Sequence, residues 1–166
     1  MSYDLLVFDP VVAPRGRTEF MVWYKQLVKW DEDRDYNSPV GVTGNLHDFY
    51  EKLREEFPPM NGPNAYDFDQ LGPPLSEPKP KGFLSRIFTS KTVSSVPRPA
   101  FNEALVTDYC IAENAIYMAF AWSVSDLAYN RVFNTALTTG VGFFNVSADS
   151  GEILHDAGQF EDFMGL

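Results

Sequence analysis

The first forty residues contain one apolar run followed by one helical stripe. Residues 3–8 read Tyr-Asp-Leu-Leu-Val-Phe and are stopped by an Asp-Pro pair, which predicts a short buried strand. Apolar residues then recur at helical spacing between Phe20 and Val28. This pattern predicts a first helix that is capped by Thr18 and runs to about Trp30.

A second helical stripe precedes a long segment of a different character. The stripe begins after residues 44–45 and ends at Phe57, because the proline that follows Phe57 disfavours helical backbone. Residues 58–100 then hold most of the twelve prolines and predict a long loop or insert. Within it, residues 81–88 have the pattern of a short amphipathic helix, which either packs the loop against the core or contacts a partner or a membrane.

The pattern of apolar and polar residues in the C-terminal third predicts five more elements. In chain order these are a hairpin of strands at 106–112 and 116–121, a helix that ends at Gly140, a strand at 141–146 and a short edge strand at 152–155. We expect the acidic tail 156–166 to dock loosely or to fray. The order β-α-α-loop-β-β-α-β-(β) predicts an α+β fold, a two-layer sandwich of four or five strands with about three helices mostly on one face.

Length and charge narrow this picture. The 166 residues suit a single α+β domain, 1–166, that contains the 58–100 insert. The net charge is −10, but residues 78–100 carry +5, which leaves −15 on the rest of the chain. Such a body repels nucleic acid and anionic membranes and attracts a basic partner. The alternative is that the net acidity serves only solubility.

One acidic stretch stands out from this background. Asp31, Glu32, Asp33 and Asp35 crowd five positions directly after Trp30 and before Tyr36. Carboxylates at the C-terminal end of a helix interact unfavourably with its dipole, so their presence there lowers the stability of the fold. Aromatic anchors beside steering carboxylates are typical of a surface that binds a basic protein, so we predict these six residues as partner-binding. An ordinary solvated transition from helix to loop is the alternative.

Catalytic and metal-binding patterns are not found in the sequence. His47 and His155 are the two histidines, neither has a ligand or triad spacing, and Cys110 is the one cysteine and sits in an apolar strand. We therefore predict no catalytic residues, no metal and no cofactor. The start of the sequence lacks the basic residues and the small-residue cleavage site of a signal peptide, and the single cysteine cannot form an internal disulfide, so we expect a cytoplasmic location.

A second hypothesis is a small hydrolase or transferase. It would use carboxylates with phenol and amide groups in a pocket near residues 57–70. The candidate lining residues are Asn61, Asn64, Tyr66, Asp67 and Asp69. A deep cleft holding a carboxylate with a raised pKa would favour this alternative.

Three stretches resemble those of a known group of proteins. They are residues 3–10, residues 57–63, and the pair 116–123 and 141–147. Together they are similar to a group of small uncharacterised bacterial proteins, some of which resemble immunity proteins of polymorphic or contact-delivered toxin systems. The resemblance leaves out residues 64–100. It supports the architecture more strongly than the function, and it assigns no functional residue. With the acidic body, the segment 31–36 and the missing catalytic pattern, we predict a non-enzymatic binding protein, an immunity protein that neutralises a basic toxin domain.

Overall fold

The computed structural model describes residues 2–42, 44–67 and 101–165. The chain divides into two units, residues 1–66 with 103–166 and residues 67–102, and every element named below belongs to the first. The basic stretch 78–100 and its amphipathic segment 81–88 therefore lie outside the described residues. The prediction of a single domain with an insert stays a prediction.

Five strands form one antiparallel sheet in the spatial order β2-β3-β1-β4-β5. Their bounds are β1 Ser2–Phe8, β2 Asp108–Ile111, β3 Ala115–Ala121, β4 Gly142–Asn145 and β5 Ile153–Leu154. Together with the helices this sheet confirms the predicted α+β class and the approximate order of elements. The hairpin of β2 and β3 and the short edge strand β5 occur where the alternation predicts them.

The apolar run of β1 is explained by its central position. Leu5 pairs with Met118 of β3, and Leu6 pairs with Phe144 of β4, so both edges of β1 are hydrogen-bonded. Both faces of the strand are also covered, because Leu5 belongs to one buried cluster and Leu6 to another. A strand buried on two faces needs apolar residues at consecutive positions rather than in alternation.

We call the face of the sheet that carries Leu5 and Val7 the first face, and the face that carries Leu6 and Phe8 the second face. Three helices of the described residues cover the first face. They are α2 Gly44–Leu53, α3 Ser125–Thr139 and α4 Ala157–Met164. Their buried side chains join one cluster with Leu5 and Val7 of the sheet, and these include Phe49, Phe133 and Phe160. This agrees with the prediction that the helices lie mostly on one face.

The first helix, α1 Arg17–Leu27, lies on the second face. Its buried residue Phe20 packs with Leu6 and Phe8. The predicted cap at Thr18 is wrong, because Gly16 is the cap and makes no side-chain hydrogen bond. The first turn is held instead by Arg17, whose guanidinium donates to the carbonyls of residues 150 and 151.

The predicted end of α1 near Trp30 is also wrong. Lys29 and Trp30 donate their backbone N–H groups to Gln26 and Leu27, a tighter turn than that of an α-helix. Trp30 then adopts a positive φ of 56°, which turns the chain away from the helix axis. The carboxylates of residues 31–35 thus lie beyond the last turn, where the opposing helix dipole has largely faded.

The tail is more ordered than we predicted. Asp156 caps α4 by accepting a hydrogen bond from the N–H of Gln159, and Phe160 is 1% exposed. Phe160 docks against Phe133 with a ring-centre distance of 4.9 Å. No helix among residues 2–42, 44–67 and 101–165 is both long enough and apolar enough to span a membrane.

Candidate functional site

A groove lies where the end of α1 meets the tip of the β2–β3 hairpin. We call it the α1 groove, and its volume is about 270 Å³. It contains two of the predicted acidic residues and draws its other members from α1 and the hairpin. The lining residues are Trp23, Gln26, Leu27, Asp31, Glu32 and Asn114.

One wall of the α1 groove is apolar and firmly held. Trp23 and Leu27 are four residues apart on α1, so they lie on the same side of the helix. The Trp23 ring meets Phe8 at 6.0 Å and Phe20 at 5.4 Å between ring centres. Both side chains pack against the cluster on the second face, which leaves this wall half-buried and restricted in motion.

The turn after α1 is shaped by three aromatic rings. Trp30 meets Tyr36 edge to face at 5.3 Å and Tyr117 at 6.0 Å. The Tyr36 hydroxyl accepts a hydrogen bond of 2.7 Å from the backbone N–H of Glu32. These contacts hold Trp30 in its left-handed conformation and so fix where the carboxylates that follow it point.

Two of the four clustered carboxylates serve the local structure. Glu32 accepts a 2.9 Å hydrogen bond from the backbone N–H of Glu113 and lies 3.8 Å from the Arg34 guanidinium. Asp35 accepts from the backbone N–H of Asn37 at 2.9 Å and from its side-chain amide at 3.3 Å. These two carboxylates accept hydrogen bonds from backbone N–H groups, so we expect the removal of either one to disturb the loop.

The other two carboxylates are available to a partner. Asp31 and Asp33 are exposed, and neither has a hydrogen-bond or ion-pair partner in the described part of the chain. Lys29 stands nearby and donates a 2.6 Å hydrogen bond to the Gln26 side chain in the groove wall. The positive charge of this ammonium group partly offsets the negative potential of the carboxylates, so it opposes the binding of another cation.

The dimensions and chemistry of the α1 groove suit a single basic side chain. Its volume of about 270 Å³ is at or below the lower end of small-molecule pockets, roughly 300–1,000 Å³. An indole face and a leucine can contact the aliphatic stem of a lysine or arginine. Asp31 and Glu32 then stand where its charged end would lie.

The structure divides the six predicted partner-binding residues by role. Asp31 and Glu32 line the α1 groove, and Asp33 is exposed but is not a lining residue. Trp30, Tyr36 and Asp35 build the turn that supports them. The sequence reasoning missed the groove members on α1 and the hairpin. Trp23 and Leu27 could have been found from the sequence, since they lie four residues apart on one side of the helix, and Leu27 precedes the acidic run by about one turn.

The segment 57–66 places its polar groups differently. The Asn61 amide lies 3.4 Å from the Asp108 carboxylate, and the Asn64 amide donates to the Tyr50 hydroxyl at 3.3 Å. The backbone N–H of Tyr66 donates to Pro59 at 2.7 Å. Asp67 falls in the other unit, and Asp69 lies outside the described residues.

A second groove of about 420 Å³ lies between α2 and α3. Its charged residues are Lys52, Glu55, Glu56 and Arg131, and Arg131 forms an ion pair with Glu56. Two cations balance two carboxylates here, so this groove gives no preference for a ligand of either charge. None of the residues predicted for a catalytic pocket lines it.

The cysteine is unsuited to nucleophilic chemistry. Burial, assisted by the carboxylates of Asp108 and Glu32, raises the pKa of the Cys110 thiol to about 11. The reactive thiolate is therefore scarce near neutral pH. Among the residues that the structure describes, no group of three His, Cys, Asp or Glu side chains could hold a metal ion.

The comparisons with known proteins give no relative for this chain. No protein-family model matches the sequence, and no significant match is found among curated proteins or solved structures.

Proposed function

We propose that this protein is a non-enzymatic binding protein that neutralises a basic toxin domain by covering its active site, as an immunity protein does. The observation that carries the proposal is a pair of exposed, unpartnered carboxylates, of which Asp31 lines the α1 groove and Asp33 follows two residues later in the chain. A lysine or arginine of the toxin domain inserts into this groove, and the surrounding carboxylates accelerate the encounter.

The charge of the chain supports the same proposal. The net charge of −10 draws a cationic partner toward the molecule over several ångströms of solvent. The groove then supplies what a diffuse field lacks, since Trp23 and Leu27 offer apolar area at a defined place. Steering by charge combined with anchoring in a pocket is the arrangement that gives fast and specific binding to a basic surface.

The class of partner is tested by genetic context and growth. We expect a gene for a large toxin with a variable C-terminal domain next to the gene for this protein. Expression of that C-terminal domain alone should arrest growth, and co-expression of this protein should restore it. A metabolic operon as the neighbourhood, or a failure to restore growth, would contradict the immunity function.

The surface is tested separately by a matched pair of variants. The double variant Asp31→Asn/Asp33→Asn should lose protection of growth, because it removes the free carboxylates. The control Asp48→Asn/Glu161→Gln also removes two negative charges, from exposed positions on α2 and α4, and it should protect like the wild type. If both variants protected equally well, the α1 groove would not be the binding surface even where the immunity function holds.

A further inference from the structure

The buried ring of His155 lies outside the proposed binding surface and has an unusual environment. His155 is 2% exposed and directly precedes α4. Its ring meets Phe8 of β1 at 5.1 Å and Phe20 of α1 at 5.9 Å, edge to face in both cases. The histidine thus takes the place of an apolar residue in the cluster on the second face.

Neither ring nitrogen of His155 has a hydrogen-bond partner among the described residues. Buried polar groups are normally paired, so an orphaned buried imidazole is costly even in its neutral form. The protonated form would place an unpaired charge in an aromatic cage, which costs far more. Burial accordingly lowers the pKa of His155 below its ordinary value, and the nearby positive charge of Arg15 lowers it further.

The charged groups around the ring do not offset this cost. Arg15, in the segment before α1, and the adjacent Asp156 are the two that act on it, while β1 and α1 present only the uncharged rings of Phe8 and Phe20. Asp156 favours protonation, but its carboxylate lies 2.9 Å from the Arg15 guanidinium and also caps α4. Arg15 therefore engages Asp156, the carboxylate that, among the described residues, acts to stabilise a charged His155.

The segment that carries His155 packs against both faces of the sheet at the edge formed by β5. We call residues 153–164 the C-terminal clip. Leu154 and Phe160 pack into the cluster on the first face, whereas Ile153 packs against the cluster on the second face. The backbone N–H of His155 donates to the Gln159 side chain, which ties the backbone at His155 to the first turn of α4.

We propose that the C-terminal clip is an acid-released latch, in which protonation ejects the His155 ring from the Phe8–Phe20 cage and detaches residues 153–164 from the edge of the sheet. In the opened clip His155 is solvated and binds a proton at its ordinary pKa, about 6.5. The closed clip excludes that proton. Its stability is therefore complete above this pH and falls as the pH drops below it.

Release has a defined structural consequence. It removes β5 from β4 and so leaves the backbone groups of β4 unpaired at a sheet edge. It also withdraws Phe160 from its contact with Phe143 in the core. Acidification thereby converts a covered edge into one that can pair with another strand.

The proposal is tested on the full chain by two measurements between pH 8 and 5. The imidazole signals of His47 and His155 are followed by NMR and assigned with the variant His47→Gln. Backbone hydrogen exchange, corrected for intrinsic rates, is followed in the clip and in β1 and β3. We expect His155 to remain neutral in the closed state well below pH 6.5, and clip protection to fall by up to about tenfold per pH unit there, while β1 and β3 stay protected.

Two variants make the result specific. His155→Phe keeps an aromatic ring in the cage and cannot titrate, so its clip should lose the pH dependence. Arg15→Gln frees Asp156 to pair with a charged ring, so the fall in protection should level off at a higher pH. The proposal would be overturned by a His155 ring that titrates like a solvated imidazole without any change in protection. A clip and strands β1 and β3 that lose protection together, or an unchanged pH dependence in His155→Phe, would overturn it equally.

Discussion

Two segments run beside β2, and they use their polar side chains in different ways. Segment 31–37 meets the strand through the Tyr36 carbonyl, which accepts from Ile111, and segment 59–66 meets the adjoining Thr107 through the N–H of Met60, both at 2.8 Å. In segment 59–66 the amides of Asn61 and Asn64 reach neighbouring side chains of the fold. In segment 31–37 two carboxylates accept hydrogen bonds from backbone N–H groups, and the other two have no partner in the described part of the chain.

The difference shows what makes a polar cluster available for binding. Both segments are rich in groups that bind ligands, and composition alone supports a site in either. What separates them is whether the fold supplies donors nearby, as it does for Glu32 and Asp35 but not for Asp31 and Asp33. A polar group already held by its own chain stabilises the structure, and one without such a partner can recognise another molecule.

The largest expected effect tests the structural role of the segment that begins at Phe57. Phe57 is fully buried, meets Phe120 at 5.1 Å, and its carbonyl accepts from the Tyr109 hydroxyl. Phe57→Ala should lower the free energy of unfolding by about 3–5 kcal/mol, through lost burial and the cavity it leaves. Met60→Ala, at a residue 49% exposed, should change it by less than about 0.5 kcal/mol. Urea denaturation measures both, and similar values for the two would contradict the structural role.

The next largest effect separates the structural carboxylates of the acidic run from the available ones. Glu32→Ala removes the acceptor of the Glu113 N–H and the neighbour of Arg34. Because the site is partly exposed, we expect a loss of about 0.5–1.5 kcal/mol and faster hydrogen exchange at the Glu113 amide. Asp33→Ala, which removes an unpartnered carboxylate, should alter neither quantity. Equal destabilisation by the two changes would remove the distinction between structural and available carboxylates.

A smaller effect is expected at Asn64. Its amide donates to the Tyr50 hydroxyl, which lowers the phenol's pKa against the larger rise caused by burial. Asn64→Ala should therefore raise the Tyr50 pKa further and cost about 0.5–1 kcal/mol. Alkaline titration of tyrosine absorbance in wild type and variant gives the first quantity. A downward shift of the Tyr50 transition would show that this contact does not exist in solution.

The smallest effect concerns the competing cation at the groove. Lys29→Ala removes the ammonium group that donates to Gln26. A single exposed charge contributes about 0.2–1 kcal/mol, so association with the basic toxin domain should quicken by about 1.4- to fivefold. Lys25→Ala, in the last turn of α1 but outside the groove lining, is the control. Slower association of Lys29→Ala than of this control would mean that the partner is not cationic at this point.

The sequence predicts the regular elements well because each one carries a clear period. β1 is apolar at consecutive positions and is buried on both faces, and α2 has its stripe at Leu46, Phe49 and Leu53. The end of α1 is harder, because the left-handed backbone of Trp30 depends on contacts with Tyr36 and Tyr117. Tyr117 is distant from Trp30 in the sequence, and no local pattern predicts their contact.

The site was predictable only in part for the same reason. The acidic run can be recognised from composition alone. The α1 groove, in contrast, is formed by Trp23 from the helix and Asn114 from a hairpin far along the chain. The order of the tail was missed because it depends on a long-range contact between Phe160 and Phe133. Periodicity reports which face of an element is buried, but it does not report which elements meet.

The proposed binding surface is tested most directly by the salt dependence of association with the basic toxin domain. Raising the ionic strength from about 0.01 to about 1 M shortens the Debye length from about 30 to about 3 Å. The association rate of the wild type should then fall by at least about tenfold. Asp31→Asn/Asp33→Asn should start slower and depend on salt less steeply, while Asp48→Asn/Glu161→Gln should follow the wild type more closely. An association rate that is insensitive to salt, or one affected equally by both double variants, would contradict the account.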